Sequence, residues 1–258
     1  MNYIGIDIGS TCAKTVVLNE KKELILEFVQ PTGWSSVDTA EEIRQKLEFA
    51  GINLSNESSH CVATGYGRIS VPYADKTVTE ITCHALGAVH LFQHPDLTVI
   101  DIGGQDTKII QIEQGFVKDF IMNDKCAAGT GRFLEVMANT LSLRPNEMFD
   151  LARLGSDTTI SSMCTVFAES EVIGLIGKGE PKENIAYVVV NSTIRKVAAQ
   201  VSRMNGEMFT FCLTGGLCEC DYIREALSKE LGKDVFSCPD ARYAGAIGAA
   251  LSAMKVRR

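Results

Sequence analysis

Short apolar runs separated by polar or glycine-bearing turns fill the first half of the chain, and apolar stripes at helical spacing fill the second. Tyr3 to Ile8 is apolar except for Asp7, and Thr15 to Leu18 and Leu24 to Val29 follow across the polar turn Asn19 to Glu23; each run predicts a strand. Helices are predicted over Thr39 to Ala50 and about Thr79 to Phe92, with a strand at Cys61 to Thr64 and the turn Gly65-Tyr66-Gly67-Arg68 between them. A run from Val99 to Ile110, the turn Glu113-Gln114-Gly115 and the run Phe116 to Met122 bring back the strand pattern. Helices are then predicted over Gly131 to Leu141, Glu147 to Arg153, Val166 to Ile176 and Lys182 to Met204. The strand Phe209 to Leu213 enters Thr214-Gly215-Gly216, and the helix Glu219 to Leu231, a short strand at Val235-Phe236 and a small-residue helix, Tyr243 to Met254, close the chain.

The two strand sets are copies of one another. Asp7, Ile8 and Gly9 recur as Asp101, Ile102 and Gly103, an offset of 94 residues, and in each copy a lysine (Lys14, Lys108) stands seven residues after the aspartate. An α/β fold with two duplicated subdomains follows. The boundary is placed near residue 122, giving an N-terminal region 1–122 with both strand sets and a mainly helical region 123–258, with no linker between them.

At the duplicated turns, Gly9-Ser10-Thr11 and Gly103-Gly104 set backbone N–H groups side by side where no side chain blocks approach, a geometry that cradles phosphate oxygens. Asp7 and Asp101 at the strand ends suit a hydrated Mg2+ ion, Lys14 suits the terminal phosphates as a point charge, and Gln105 or Asp106 suits an attacking water. Gly215-Gly216, leaving a strand for a helix, lets backbone approach a nucleobase or its ribose. The turns form neither a Walker loop nor a Rossmann fingerprint.

Nine cysteines without a CxxC pair argue against both a disulfide framework and a zinc ribbon. Cys126, in Asn123-Asp124-Lys125-Cys126-Ala127-Ala128-Gly129-Thr130-Gly131, and Cys164, in Met163-Cys164-Thr165-Val166-Phe167-Ala168-Glu169, each precede a predicted helix start. There unpaired N–H groups and the helix dipole favour a thiolate, and both cysteines are candidate metal ligands. Cys12 stands beside the first phosphate turn, where a small or hydroxylated residue is the plain expectation. A net charge of -7 argues against nucleic-acid binding. No apolar run reaches the roughly 20 residues of a membrane span, and the chain enters its first strand with no basic leader, so a cytoplasmic protein with no membrane partner is expected.

The order Asp7-Ile8-Gly9-Ser10-Thr11, Asp101-Ile102-Gly103-Gly104-Gln105-Asp106 and Leu213-Thr214-Gly215-Gly216 resembles the actin/hexokinase/Hsp70 ATPase superfamily. The two cysteine segments, with Thr64-Gly65-Tyr66-Gly67-Arg68, resemble one branch of it: the ATP-dependent activators of (R)-2-hydroxyacyl-CoA dehydratases, in the BadF/BadG/BcrA/BcrD ATPase family. The resemblance spans nearly the whole chain. It implies the actin-like (ribonuclease H-like) fold with ATP in the cleft between two subdomains, and a homodimer sharing one [4Fe-4S] cluster. Such a cluster takes four thiolates, so Cys126 and Cys164 of two chains would complete it. The implied function is ATP-hydrolysing, single-electron activation of a partner 2-hydroxyacyl-CoA dehydratase, with reduced ferredoxin or flavodoxin as electron source. The competing readings are a sugar or acyl kinase on the same core and a nucleotide-switched redox sensor.

Overall fold

Isoleucine alternates with glycine and aspartate along the first strand, and the alternation decides how its two faces are covered. In the computed structural model, which describes residues 1–54, 58–156, 165–205 and 209–256, the first strands are β1 (Asn2–Ile8), β2 (Cys12–Leu18), β3 (Leu24–Pro31), β4 (Ser59–Thr64) and β5 (Lys76–Thr77). They form one sheet in the order β3-β2-β1-β4-β5. β1 runs antiparallel to β2 and parallel to β4, which sets Asp7 opposite both Lys14 and Thr64. Ile4, Ile6 and Ile8 pack with Ile43 and Leu47 of helix α1 (Ser36–Phe49) in one core. α1 starts earlier than its periodicity predicts because the Ser35 hydroxyl accepts the Asp38 N–H and caps it.

On the opposite face Gly5 lies under helix α8 (Ala244–Ala253), where a Cβ would stand 1.9 Å from the Ala246 carbonyl oxygen. α8 also crosses helix α2 (Glu80–Phe92) at backbone contact: a Cβ on Gly87 would meet the Ala244 carbonyl at 1.9 Å, and one on Gly248 the Cys83 carbonyl at 1.8 Å. Glycine at these crossings is a condition of the fold.

A second sheet is built from β6 (Leu97–Ile102), β7 (Thr107–Glu113), β8 (Phe116–Asn123), β9 (Thr210–Gly215) and β10 (Val235–Phe236) in the order β10-β9-β6-β7-β8. Read from its other edge it repeats the first sheet strand for strand. Val99, Ile100, Ile102, Ile109, Ile110 and Ile112 are all buried, as strands covered on both faces require. The helices of this half are α3 (Gly131–Thr140), α4 (Pro145–Ala152), α5 (Thr165–Gly177), α6 (Lys182–Val201) and α7 (Asp221–Leu231). α3 buries Phe133, Leu134, Met137 and Ala138, the stripe its sequence predicts.

Two compact units result: residues 1–97 with 110–118 and 238–258, and residues 98–109 with 119–237. Among the described residues no helix is long and apolar enough to cross a membrane.

Candidate functional site

Asp7 is the single charged residue of β1 and is 3 % exposed. Just beyond it the Gly9 N–H donates to the Cys12 carbonyl at 3.1 Å and closes the turn. Thr32 braces this turn, its N–H donating to the Thr11 carbonyl at 2.9 Å and its Oγ1 to the Gly9 carbonyl at 2.7 Å. Thr11 is exposed at the apex, Ser10 and Cys12 are half-buried, and Lys14 is half-buried on β2. Behind the aspartate, Gly65 has φ +84°, and a Cβ there would lie 2.4 Å from Asp7 Oδ1.

The second unit repeats the design. The Gly103 N–H donates to the Asp106 carbonyl at 2.9 Å, the same closure 94 residues on. Asp101 is 2 % exposed and accepts from Thr214 Oγ1 at 2.8 Å. Gly215, φ +85°, would carry a Cβ 2.9 Å from Asp101 Oδ1 and 2.6 Å from the Ile102 carbonyl. Gly215 therefore stands to Asp101 as Gly65 stands to Asp7, and the duplication extends to a fourth strand, although the Thr64 hydroxyl donates to the Val78 carbonyl at 2.9 Å. Gly216 is exposed, with open space where a Cβ would go, and Gln105 is exposed at the turn's apex.

Lys108 is picked out by the repeat, but the sequence assigns it no role in the site. It is buried, with Nζ 2.8 Å from Asp106 Oδ1 and 3.4 Å from Asp101 Oδ2. Its spacing from Asp101 was the available signal. A buried ammonium is tolerated only when paired in this way.

Cys126 is exposed in the loop after β8. The loop itself is pinned: Asn123 Nδ2 donates to the carbonyls of Cys126 (2.8 Å) and Ala128 (3.0 Å), and Thr130 Oγ1 to that of Ala127 (2.6 Å). Thr107 Oγ1 donates to the Gly129 carbonyl at 2.6 Å, tying the loop to β7. The first donors of α3 do not face the thiol as expected; the N–H groups of Gly131 and Arg132 donate to the carbonyls of Gly103 (2.9 Å) and Gly104 (2.8 Å) in the second glycine turn. Cys164 lies outside the described residues; α5 begins at the next residue.

The other described cysteines differ in kind. Cys61, Cys83, Cys212 and Cys218 are buried, and Cys12, Cys220 and Cys238 half-buried. Burial pushes the Cys83 thiol up to about 12 and raises those of Cys220 and Cys238, so these sulfurs stay protonated near neutrality.

A model of the BadF/BadG/BcrA/BcrD ATPase family matches residues 4–253. The chain belongs to that family. It is 43% identical to the (R)-2-hydroxyglutaryl-CoA dehydratase activating ATPase of Acidaminococcus fermentans, over 98% of the chain and 96% of the relative. The crystal structure of the Acidaminococcus fermentans (R)-2-hydroxyglutaryl-CoA dehydratase component A superposes with a TM-score of 0.90 at 41% identity, covering 99% of this chain and 98% of that one. The activator of the 2-hydroxyisocaproyl-CoA dehydratase from Clostridium difficile, solved with bound ADPNP, superposes with a TM-score of 0.88 at 33% identity, over 100% and 99%. The twin sheets of the chain are the actin-like fold that its turn motifs predict.

Proposed function

We propose that this family member is the reductive activator of a 2-hydroxyacyl-CoA dehydratase, coupling ATP hydrolysis to delivery of one electron at a time. The relatives named for dehydratase activation, matched from end to end, support the reaction class. One observation carries the coupling: α3 hangs by its first two N–H groups from the Gly103-Gly104 turn, and the loop that presents Cys126 runs straight into it. A turn that shifts when phosphates bind moves that loop as well.

In this reading the turns Gly9-Ser10-Thr11 and Gly103-Gly104 each offer backbone N–H groups to phosphate oxygens. Asp7 and Asp101 are buried carboxylates, and each suits the waters of a Mg2+ ion. Lys14, half-buried on β2, neutralises the terminal phosphates. Gln105 orients the attacking water, since Asp106 is engaged by Lys108. Gly215 and Gly216 border the adenosine.

Cys126 fits a [4Fe-4S] cluster in exposure and in rigidity of its loop, while the raised pKa values of Cys83, Cys220 and Cys238 disfavour them as ligands. Cys126 and Cys164 from each chain of a homodimer would hold one cluster, which when bound supplies single electrons received from reduced ferredoxin or flavodoxin. The decisive experiment is anaerobic purification with iron and sulfide counts, followed by ATP-dependent electron delivery to a 2-hydroxyacyl-CoA dehydratase. Four iron per dimer and ATP-dependent activation are expected. A colourless ATPase that phosphorylates a small alcohol instead would return the chain to the kinases.

A further inference from the structure

Lys108 Nζ lies 3.4 Å from Asp101 Oδ2. Near Asp7 stands an imidazole, His84, which reaches it from α2. His84 is 3 % exposed, and its Nε2 lies 3.9 Å from Asp7 Oδ2 and 3.8 Å from Glu80 Oε1, one turn back on the same helix. Nε2 thus lies about equally far from two carboxylate oxygens, just beyond direct hydrogen-bond distance in each case.

The arrangement is tightly determined. A Cβ on Gly245 would stand 2.5 Å from Asp7 Oδ2 and 2.9 Å from His84 Nε2, so glycine at that position leaves room for both groups. Gly65 clears the other oxygen of the same carboxylate. The backbone that carries His84 is fixed by the Gly87 and Gly248 crossings, where α2 and α8 touch main chain to main chain. A polar ring held this firmly beside a functional carboxylate orients it, as outer partners orient metal-holding carboxylates.

We infer that His84, with Glu80 behind it, is a positioning residue for Asp7 in ATP hydrolysis. The inference rests on the ATPase reading of the Asp7 turn. His84 acts through Asp7, so its loss reduces turnover more than nucleotide binding. An amide that still offers a polar N–H to the same space restores part of what an apolar residue loses.

The test uses the full-length dimer purified anaerobically, with His84→Leu, His84→Gln, Glu80→Gln, Asp7→Asn and the double variant Asp7→Asn/His84→Leu. ATP turnover and the Kd of ADPNP with magnesium are measured on each, together with thermal unfolding. His84→Leu should lower kcat about 10- to 100-fold, as outer-partner losses do, with the ADPNP Kd changed less than threefold and His84→Gln between Leu and wild type. The double variant should turn over no more slowly than Asp7→Asn alone. Wild-type turnover in His84→Leu, equal losses in kcat and affinity, or multiplied losses in the double variant would each overturn the inference. If His84→Leu does not fold, the His84→Gln and Glu80→Gln splits between kcat and Kd decide it alone, an unchanged kcat in both overturning it. A wild-type protein with no ATP turnover at all would instead remove the ATPase reading beneath it.

Discussion

Lys14 and Lys108 occupy the same place in the two copies and have different surroundings. Lys108 is fully buried between Asp101 and Asp106. Removing its charge leaves a buried carboxylate without that cation, so Lys108→Met should cost about 3–5 kcal/mol of stability, read by urea unfolding. Lys14→Met should leave the unfolding midpoint nearly in place and weaken ATP binding, read by nucleotide titration; the opposite pattern would reverse the two assignments. The spacing of both lysines was legible in the sequence. Which one is buried was not, because that depends on Asp101 and Asp106 closing on the Lys108 ammonium and on Thr214 reaching Asp101, contacts that no local pattern encodes. Cys83 gives a pH signature. Its thiol is raised from 9.0 to about 12, so the folded state keeps a proton that the unfolded chain releases. Its contribution to stability is complete below pH 9 and fades as pH climbs toward 12. With any metal removed, iodoacetamide at pH 8 should label Cys126 within minutes and spare Cys83, as peptide mapping would reveal.

Among the elements, the strongly periodic ones were legible. α3 begins at Gly131 and β6 contains the whole of the second apolar run through Ile102, as the pattern requires. α6 stops at Val201 although apolar spacing continues to Met204, and β5, two residues long, has no periodicity to detect. The engagement of α3's first N–H groups was hidden for a different reason. Helix-start donors are free by default, and only the fold brings the Gly103 and Gly104 carbonyls to them. That junction can be tested. A Cβ on Gly131 would sit 3.1 Å from the Gly103 carbonyl oxygen, so Gly131→Val should loosen α3 from the turn. The variant should keep its iron and lose any effect of ATP on chelation rate, and an ATP effect of wild-type size would mean the junction is not the route. At the α2–α8 crossing, Gly248→Ala places a methyl 1.8 Å from a carbonyl oxygen that cannot swing aside. A loss of at least 1–3 kcal/mol is expected in urea.

For the molecule as a whole, the proposed activity requires nucleotide and electron to be linked. Lowering a one-electron midpoint potential by 200 mV corresponds to about 4.6 kcal/mol. ATP must then bind the oxidised protein about 2,000-fold more tightly than the reduced one. ADPNP with magnesium should lower the midpoint potential and raise chelator access to iron, and identical values with ADP, ADPNP and no nucleotide would leave the two halves of the activity unlinked. The return of residues 238–258 to the first unit has a separate consequence, for how the protein is made. The face of the first sheet at Gly5, and the side of α2 at Gly87, stay uncovered until α8 leaves the ribosome. Roughly 150 residues separate α2 from α8, about 8–30 s of synthesis at ~5–20 residues per second. During that interval the nascent chain carries an open apolar sheet face, and the second unit, continuous from Asp119 to Ser237 apart from one strand segment, is available to fold first. Although the first strand is synthesised first, its sheet is among the last parts of the molecule to be sealed.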